Sequence, residues 1–332
     1  MACRESRTRA VVCRCCGSPE DLRLEEWAVP PPGPGEVRLE VAAAALNFAD
    51  LLMIRGRYQE RPELPFVPGL ECAGEVEAVG PGVDGLEVGQ RVLAVVDHGA
   101  FAERVVARAL DVLPLPRAVS MSEAAALPIA FGTAHGAFTW RARLRPGETV
   151  LVTGAGGGTG LAAVAVAKRL GARVIATARG GAKLDAARAA GADHALDAED
   201  PELVARIRAI AGERGVDVAF ETVGAPGFQQ ALKTIAWEGR ILLIGFASGR
   251  LPEIPANHLL VKNAAAIGFY WGSYRRRDPA RLRAGLATLL SWLAEGSIRP
   301  RVDQQLPLAQ APAALKRLAE APPAGKIVLT IP

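Results

Sequence analysis

From Arg9 to about Ser120 the apolar residues come in short β-branched runs, RAVVC, EVRLEVAAAAL, GEVEAVG, QRVLAVV and FAERVVA, cut by Pro and Gly in PPPGPGE and GPGVDGLEVG. Runs of this length bounded by turn residues predict strands joined by tight turns, a mostly β unit. The first helical signal is SMSEAAALP, where Ser120 or Ser122 can accept free backbone amides and Glu123 stands in the first turn. After Pro146 and Gly147 the rhythm changes. TVLVTG, RVIATAR, HALD, VDVAFETVG and GRILLIGF read as strands, and LAAVAVAKRLGA, AKLDAARAAGA, PELVARIRAIAG and a stretch near FQQALKTIA read as the helices between them. Strands alternating with helices predict a parallel sheet covered on both faces. Beyond about Lys262 follow a strand AAAIGFYWG, a long helix ARLRAGLATLLSWLAEG, a Pro-flanked strand, the helix LAQAPAALKRLAE and a last strand KIVLTI. These late strands need a partner sheet, so the first β unit is expected to be completed by the end of the chain.

With 332 residues, 50% hydrophobic and 22% charged, the chain can hold two domains, each with its own core. The net charge of +4 arises from 39 basic and 35 acidic residues spread along the sequence, with one tight basic run at Arg275 to Arg277. That balance weakly favours anionic ligands and argues against nucleic acid. Cys3, Cys13, Cys15, Cys16 and Cys72 all fall in the first quarter, so no disulfide framework spans the fold, as suits a reducing cytoplasm. The opening MACRESRTRA lacks an apolar run behind its arginines, and no later stretch reaches the roughly 18 apolar residues of a membrane span. The expectation is a cytoplasmic protein, neither secreted nor membrane-spanning. Cys13-Arg14-Cys15-Cys16 invites a metal reading, but no fourth ligand is near it in the sequence. Cys72 reads as a small buried hydrophobe.

TGAGGGTG, from Thr153 to Gly160, lies between the first strand of the alternating region and its first helix, where a dinucleotide pyrophosphate meets a helix N-terminus. Gly154, Gly156, Gly157, Gly158 and Gly160, with Thr159, leave the backbone open. One glycine permits the tight turn, another the approach of phosphate, and the last the packing of helix on strand. The spacing is not G-x-G-x-x-G, and an ordinary α/β loop is the competing reading. At the end of the second strand, Thr177-Ala178-Arg179-Gly180-Gly181-Ala182-Lys183 offers two cations and no carboxylate before Asp185. A ribose with free hydroxyls calls for an acid there, and a 2′-phosphate for cations, so NADPH is expected as cofactor. The alternative is a solvated basic turn.

Several motifs, spread over nearly the full length, carry a resemblance. They are NFADLLMIRGRY from Asn47, LPFVPGLECAGEVEAVG from Leu64, GQRV from Gly89, EAAALPIAFGTAHGA from Glu123, RPGETVLVTGAGGGTG from Arg145, ADHALD from Ala192 and GRILLIGFASG from Gly239. The chain resembles the zinc-free quinone oxidoreductases related to zeta-crystallin, within the medium-chain dehydrogenase/reductase superfamily. The family's A-x-x-G-x-x-G signature matches here as Gly154-x-x-Gly157-x-x-Gly160. The resemblance implies an α/β fold, a Rossmann doubly wound parallel sheet inserted into a mostly β GroES-like catalytic domain, with residues 125–264 as the NADP-binding domain and 1–124 with 265–332 as the catalytic domain. Zinc-dependent relatives have a cysteine where Asn47 stands and a histidine where Leu70 stands, and the third ligand and the four structural cysteines also have no counterpart, so no metal is expected. The histidines His98, His135, His194 and His258 show no ligand spacing.

Without a Lewis acid, the chemistry left is hydride transfer to an acceptor that is already electron-poor, a quinone or conjugated enone held over the nicotinamide in an apolar, water-poor cleft. The resemblance puts Asn47, Asp50 and Tyr58 at the acceptor, Tyr58 as a donor to the developing oxyanion, with a purely structural role open for Asp50. It puts Thr133, Thr222, Gly224, Gly245, Phe246 and Phe269 at the cofactor, with core packing as the competing role for the two phenylalanines. Where several relatives carry an aromatic or histidine after the third strand, this chain has Ala198, which throws the NADP preference onto Arg179 and Lys183. The alternatives are an enoyl or alkenal double-bond reductase and a non-enzymatic NADPH- or RNA-binding role; weak charge and no aromatic-basic interleaving count against RNA. In this family two nucleotide-domain sheets commonly join at their last strand, so a homodimer through residues near 262 to 271 is expected.

Overall fold

The computed structural model describes residues 6–332; Cys3 and the first residues of the opening segment lie outside it. The chain divides into two compact units, one of residues up to Ile129 with Asp278–Gly296 and Pro300–Pro332, the other of Ala130–Arg277 with Ser297–Arg299.

The first unit is β-rich. It contains β1 (Ser6–Val12), β2 (Arg23–Val29), β3 (Glu36–Ala45), helix α1 (Phe48–Ile54), β4 (Glu71–Val79), β5 (Arg91–Val95), β6 (Arg104–Arg108), β7 (Val112–Pro114) and α2 (Met121–Ala126). Helix α3 (Pro128–Gly136) begins at the end of this unit and continues into the second. Ser120 caps α2, its hydroxyl accepting from the Glu123 amide at 3.3 Å, as the sequence predicts. β1 and β2 form a separate antiparallel pair, while β7, β5, β4 and β3 lie side by side and β6 joins β3.

The second unit alternates strand and helix. β8 (Thr149–Thr153), α4 (Gly158–Arg169), β9 (Arg173–Ala178), α5 (Gly181–Ala189) and β10 (His194–Asp197) make the first half. α6 (Leu203–Ala211), β11 (Val216–Glu221), α7 (Ala225–Thr234), β12 (Ile235–Leu243), α8 (Ala256–Lys262) and β13 (Ala265–Gly268) make the second, followed by α9 (Tyr274–Arg277). Every pairing within this sheet is parallel, in the order β10-β9-β8-β11-β12-β13. That order reverses direction between β8 and β11, the doubly wound arrangement the resemblance implies. β8 and β11 are wholly buried, as strands of a parallel sheet covered on both faces are.

The chain then re-enters the first unit with α10 (Pro279–Ala294), β14 (Val302–Pro307), α11 (Ala311–Glu320) and β15 (Lys326–Thr330). β15 pairs antiparallel with β3, placing Val328 opposite Ala45, and β14 adds outside it. Leu315, Ile327 and Leu329 fill the same core as Val11, Leu39, Leu51 and Phe101. The resemblance implies crossings at 124/125 and 264/265. In the structure 265–268 belong to the parallel sheet, since β13 pairs with β12 from Arg240↔Ala265 to Leu243↔Gly268.

Strand β1 ends at Val12, so Cys13 to Cys16 follow it outside the strand. Cys13 is buried with its thiol donating to the Cys15 carbonyl at 3.3 Å, and Cys15 and Cys16 are both exposed. Cys72 is fully buried, and burial beside Glu71 pushes its thiol up to about 12. Among the described residues no helix is long and apolar enough to cross a membrane.

Candidate functional site

In the parallel unit, Gly157 is the N-cap of α4, and its predecessors carry the chain from β8 across the sheet end. Gly154 has φ +64, and a Cβ there would strike Thr222 Oγ1. A Cβ on Gly160 would run into the Gly154 carbonyl oxygen, with Ala155 Cα at 2.7 Å. Gly157 meets nothing nearer than 3.9 Å, so the backbone at the helix start stands open. Gly158 and Thr159 form the first turn of α4 and are half-buried. This is a cradle of free amides at the N-terminus of a 12-residue helix, the geometry that receives a pyrophosphate.

Thr177, buried near the end of β9, accepts the Ala155 amide at 2.9 Å. Lys183 lays its stem over Gly156, whose missing Cβ would sit 2.7 and 2.8 Å from Lys183 Cγ and Cδ. Its ammonium is held below the usual lysine range, first by partial burial and then by the Arg179 charge. Arg179 is exposed. Asp185, the first carboxylate after β9, is turned to Arg188 at 2.7 Å. Neither Arg179 nor Lys183 has an ion-pair partner among the described residues. Ala198 donates to the Ala178 carbonyl at 2.9 Å, so it stands beside the same strand end and offers only a methyl group.

A buried carboxyl that the sequence reading missed holds the neighbouring loops. Glu221 Oε1 accepts the amides of Val223 (2.6 Å) and Gly224 (2.9 Å) and the Thr153 hydroxyl (3.1 Å). Burial pushes Glu221 up to about 7 against these bonds. The Thr222 hydroxyl donates to the Thr153 carbonyl at 2.8 Å. The Ala247 and Ser248 amides donate to the Thr222 and Val223 carbonyls, which sets Gly245 and the 40% exposed Phe246 beside Gly224. Gly224, at φ +99, has no room for a side chain against Arg250 O. Thr222, Gly224, Gly245, Phe246, Thr177, Lys183 and the glycine turn are thus drawn to one end of the sheet. Thr133 stands half-buried on α3 beside Gly132, which packs on the Trp271 ring. Phe269 is buried at Gly136, its ring centroid 5.7 Å from Tyr274 and 6.2 Å from Trp140.

In the β-rich unit, Asn47 is the N-cap of α1, and Asp50 three residues on accepts its amide at 2.7 Å through Oδ2. Asp50 is wholly buried and its Oδ1 has no hydrogen-bond partner. Burial drives its carboxyl up to about 7, opposed by the Asn47 amide and the Lys326 charge and reinforced by Glu71. The Asn47 side chain turns to two residues absent from the sequence expectation, donating to Glu71 Oε1 at 2.8 Å and accepting from Lys326 Nζ at 2.7 Å. Tyr58 is half-buried against the core of the same unit. One clue to Glu71 and Lys326 lies in their runs: a charge inside LECAG or at the head of KIVLTI must be paired if those strands are buried. Among the described residues no three His, Cys, Asp or Glu side chains gather as a metal site.

The geometry agrees with what the chain resembles. Residues 158–291 match the family model described as zinc-binding dehydrogenase, and residues 33–117 the alcohol dehydrogenase GroES-like domain. The chain is 39% identical over 324 residues to the rat quinone oxidoreductase-like protein 2, spanning 97% of this chain and 92% of that one. Among solved structures, a mycobacterial protein complexed with NADPH superposes with a TM-score of 0.90 at 32% identity, over 97% of this chain and 99% of the other. The Escherichia coli quinone oxidoreductase complexed with NADPH gives 0.88 at 28% identity, over 98% and 99%.

Proposed function

Because the chain belongs to the quinone oxidoreductase-like family of the medium-chain dehydrogenase/reductase superfamily, we propose that it is an NADPH-dependent reductase of electron-poor acceptors, quinones foremost, working without zinc. The observation that carries this reading is the pair of cations, Arg179 and Lys183, without an ion-pair partner among the described residues, at the strand end beside an open glycine turn. They fit a 2′-phosphate, and Gly154, Gly157 and Gly160 fit the pyrophosphate. Bound NADPH supplies the hydride. The protein's own work is to hold the loops that receive it, through Thr153 and Glu221, and to orient the acceptor through Asn47, Asp50 and Tyr58. Where zinc-dependent relatives carry cysteine and histidine this chain has Asn47 and Leu70, neither of which offers a metal a thiolate or imidazole. The acceptor suited to such a site is one that is already electron-poor, as a quinone is and a simple ketone is not.

Loss of NADPH absorbance tests the proposal with a benzoquinone, a 2-enal and an enoyl thioester side by side, each with and without a chelator. Quinone turnover that survives the chelator is expected. Turnover of the enal or thioester alone moves the assignment to a double-bond reductase, and stoichiometric zinc in the active protein overturns the metal-free chemistry. The protein is further proposed to be a cytoplasmic homodimer joined along the outer edge of β13.

A further inference from the structure

Three residues far apart in sequence meet at the ends of three neighbouring strands of the β-rich unit. β15 runs antiparallel to β3 with Val328 opposite Ala45, so the same register carried on puts Lys326 opposite Asn47. β4 pairs with β3 at Ala44↔Cys72, which sets Glu71 beside Ala45. Lys326 Nζ has three protons, and all are used: on the Leu46 carbonyl at 2.7 Å, Asn47 Oδ1 at 2.7 Å and Glu71 Oε1 at 2.8 Å. The two charged side chains are 7% and 0% exposed. Glu71 accepts from Asn47 Nδ2 through Oε1 and from the Ile129 amide, at 2.7 Å, through Oε2.

The consequence falls on Asn47. Its amide has one end held by a cation and the other by a carboxylate and the Ala45 carbonyl. A half-turn of the amide would set its NH2 against the ammonium and its oxygen against the carboxylate, so only one orientation is tolerated. A buried ion pair is a poor source of stability compared with apolar residues of similar volume, and its best-attested use is to specify one arrangement. We propose that Lys326, with Glu71 as its counter-ion, is a positioning residue for the acceptor end of the site, fixing the Asn47 amide and, through the shared helix start, the Asp50 carboxyl. This rests on the reading that Asn47 and Asp50 meet the acceptor, but the control exerted on Asp50 can be measured without turnover.

The groups that bear on Asp50 are the amides of Asn47 and Gly69, the Lys326 ammonium from β15 and the Glu71 carboxylate from β4. The ammonium favours the ionised carboxyl and Glu71 disfavours it. Lys326→Met should therefore raise the Asp50 midpoint and Glu71→Gln should lower it, a pair of opposite shifts that a merely space-filling lysine would not produce. The experiment is a carbon-13 titration of the aspartate carboxyls in the full-length protein, with Asp50 assigned by Asp50→Asn, alongside kcat against pH and NADPH affinity. Lys326→Met and the charge-free double variant Lys326→Met/Glu71→Gln should lose about 10²-fold in kcat, the scale of a misplaced reacting group, while NADPH affinity stays within about twofold, well inside 1 kcal/mol. Lys326→Arg should recover part of the loss. Should Lys326→Met fail to fold, the double variant, which leaves no unpaired charge, gives the kcat measurement and Glu71→Gln gives the shift. An unmoved Asp50 midpoint, or a folded double variant with wild-type kcat, overturns the proposal. If the wild type reduces neither quinone nor enone, the proposed function fails, and the two opposite shifts still decide whether Lys326 and Glu71 govern Asp50.

Discussion

The parallel unit offers its polar groups from the backbone, and the β-rich unit offers them from side chains. At the end of β8 the useful donors are backbone amides at a glycine turn, with two cations beside them that have no ion-pair partner among the described residues. Around Asn47, by contrast, nearly every donor and acceptor is already matched, and only Asp50 Oδ1 is left over. The first arrangement waits for an anion, so changes there should alter binding before stability. The second is complete without a ligand, so changes there should alter geometry and protonation, and removing one partner leaves an uncompensated buried charge.

The sharpest way to break that contrast is at Gly160. A valine there would push its side chain into the Gly154 carbonyl and Ala155 Cα, backbone atoms that cannot step aside. Overpacking of this kind costs about 1–3 kcal/mol or more, and here the strain falls on the cradle itself. Gly160→Val is expected to weaken NADPH by about 10²-fold, read by fluorescence titration, with circular dichroism unchanged. A wild-type affinity would mean that the cradle is not the phosphate site.

Next in size is the cation pair. Arg179→Ala with Lys183→Ala should weaken NADPH about tenfold or more relative to NADH, because a charge-assisted hydrogen bond contributes about 1.5–3 kcal/mol and the exposure of Arg179 discounts it. Equal losses for both cofactors would remove the 2′-phosphate assignment. After it comes the sheet edge. β13 ends the strand order, and near it Leu260, Val261 and Trp237 are 76%, 74% and 65% exposed. An apolar edge of this kind invites a second copy. Ile267→Lys should convert a dimer into a 34.8 kDa species by light scattering; a wild type already monomeric at micromolar concentration, or a variant still dimeric, would refute the interface.

The contrast also explains what could be read from the chain. The glycine turn, the strand before it, the helix after it and the basic residues at the end of β9 are local, lying within about thirty residues, the span of one βαβ unit, and each has a physical reason visible in its neighbours. Asn47, Glu71 and Lys326 meet only because β15 returns to pair with β3, a long-range event that periodicity does not encode. Resemblance supplied Asn47 and Asp50 but gave no role to Glu71 or Lys326. Glu221 was hidden differently: it ends the buried strand β11, and beside the Thr153 hydroxyl its partners are loop amides whose direction no side-chain pattern reports.

The last comparison separates the two units by pH. Asp50 and Glu221 start from ordinary values of 3.8 and 4.5 and are each pushed up to about 7, chiefly by burial. Since the folded pKa lies above the unfolded one, the folded chain keeps protons that the unfolded chain has released between about pH 4 and pH 7. The stability these carboxyls contribute is therefore full below about pH 4 and is lost as pH rises through about 7. One pKa unit corresponds to about 1.4 kcal/mol, so the fall is measurable by urea unfolding at pH 5 and pH 8. Asp50→Asn keeps an oxygen for the Asn47 amide and replaces an atom that had no partner, so it should unfold at nearly the same urea concentration at pH 5 and lose less than the wild type by pH 8. Glu221→Gln must turn one amide end toward the Val223 and Gly224 donors, so it should flatten the profile from a lower starting point and weaken NADPH as well. The difference between the two variants is the test of the comparison. If Asp50→Asn also weakened NADPH, the chemistry of the β-rich unit would not be separable from cofactor binding, and if its urea profile kept the wild-type slope, Asp50 would not be the group that titrates.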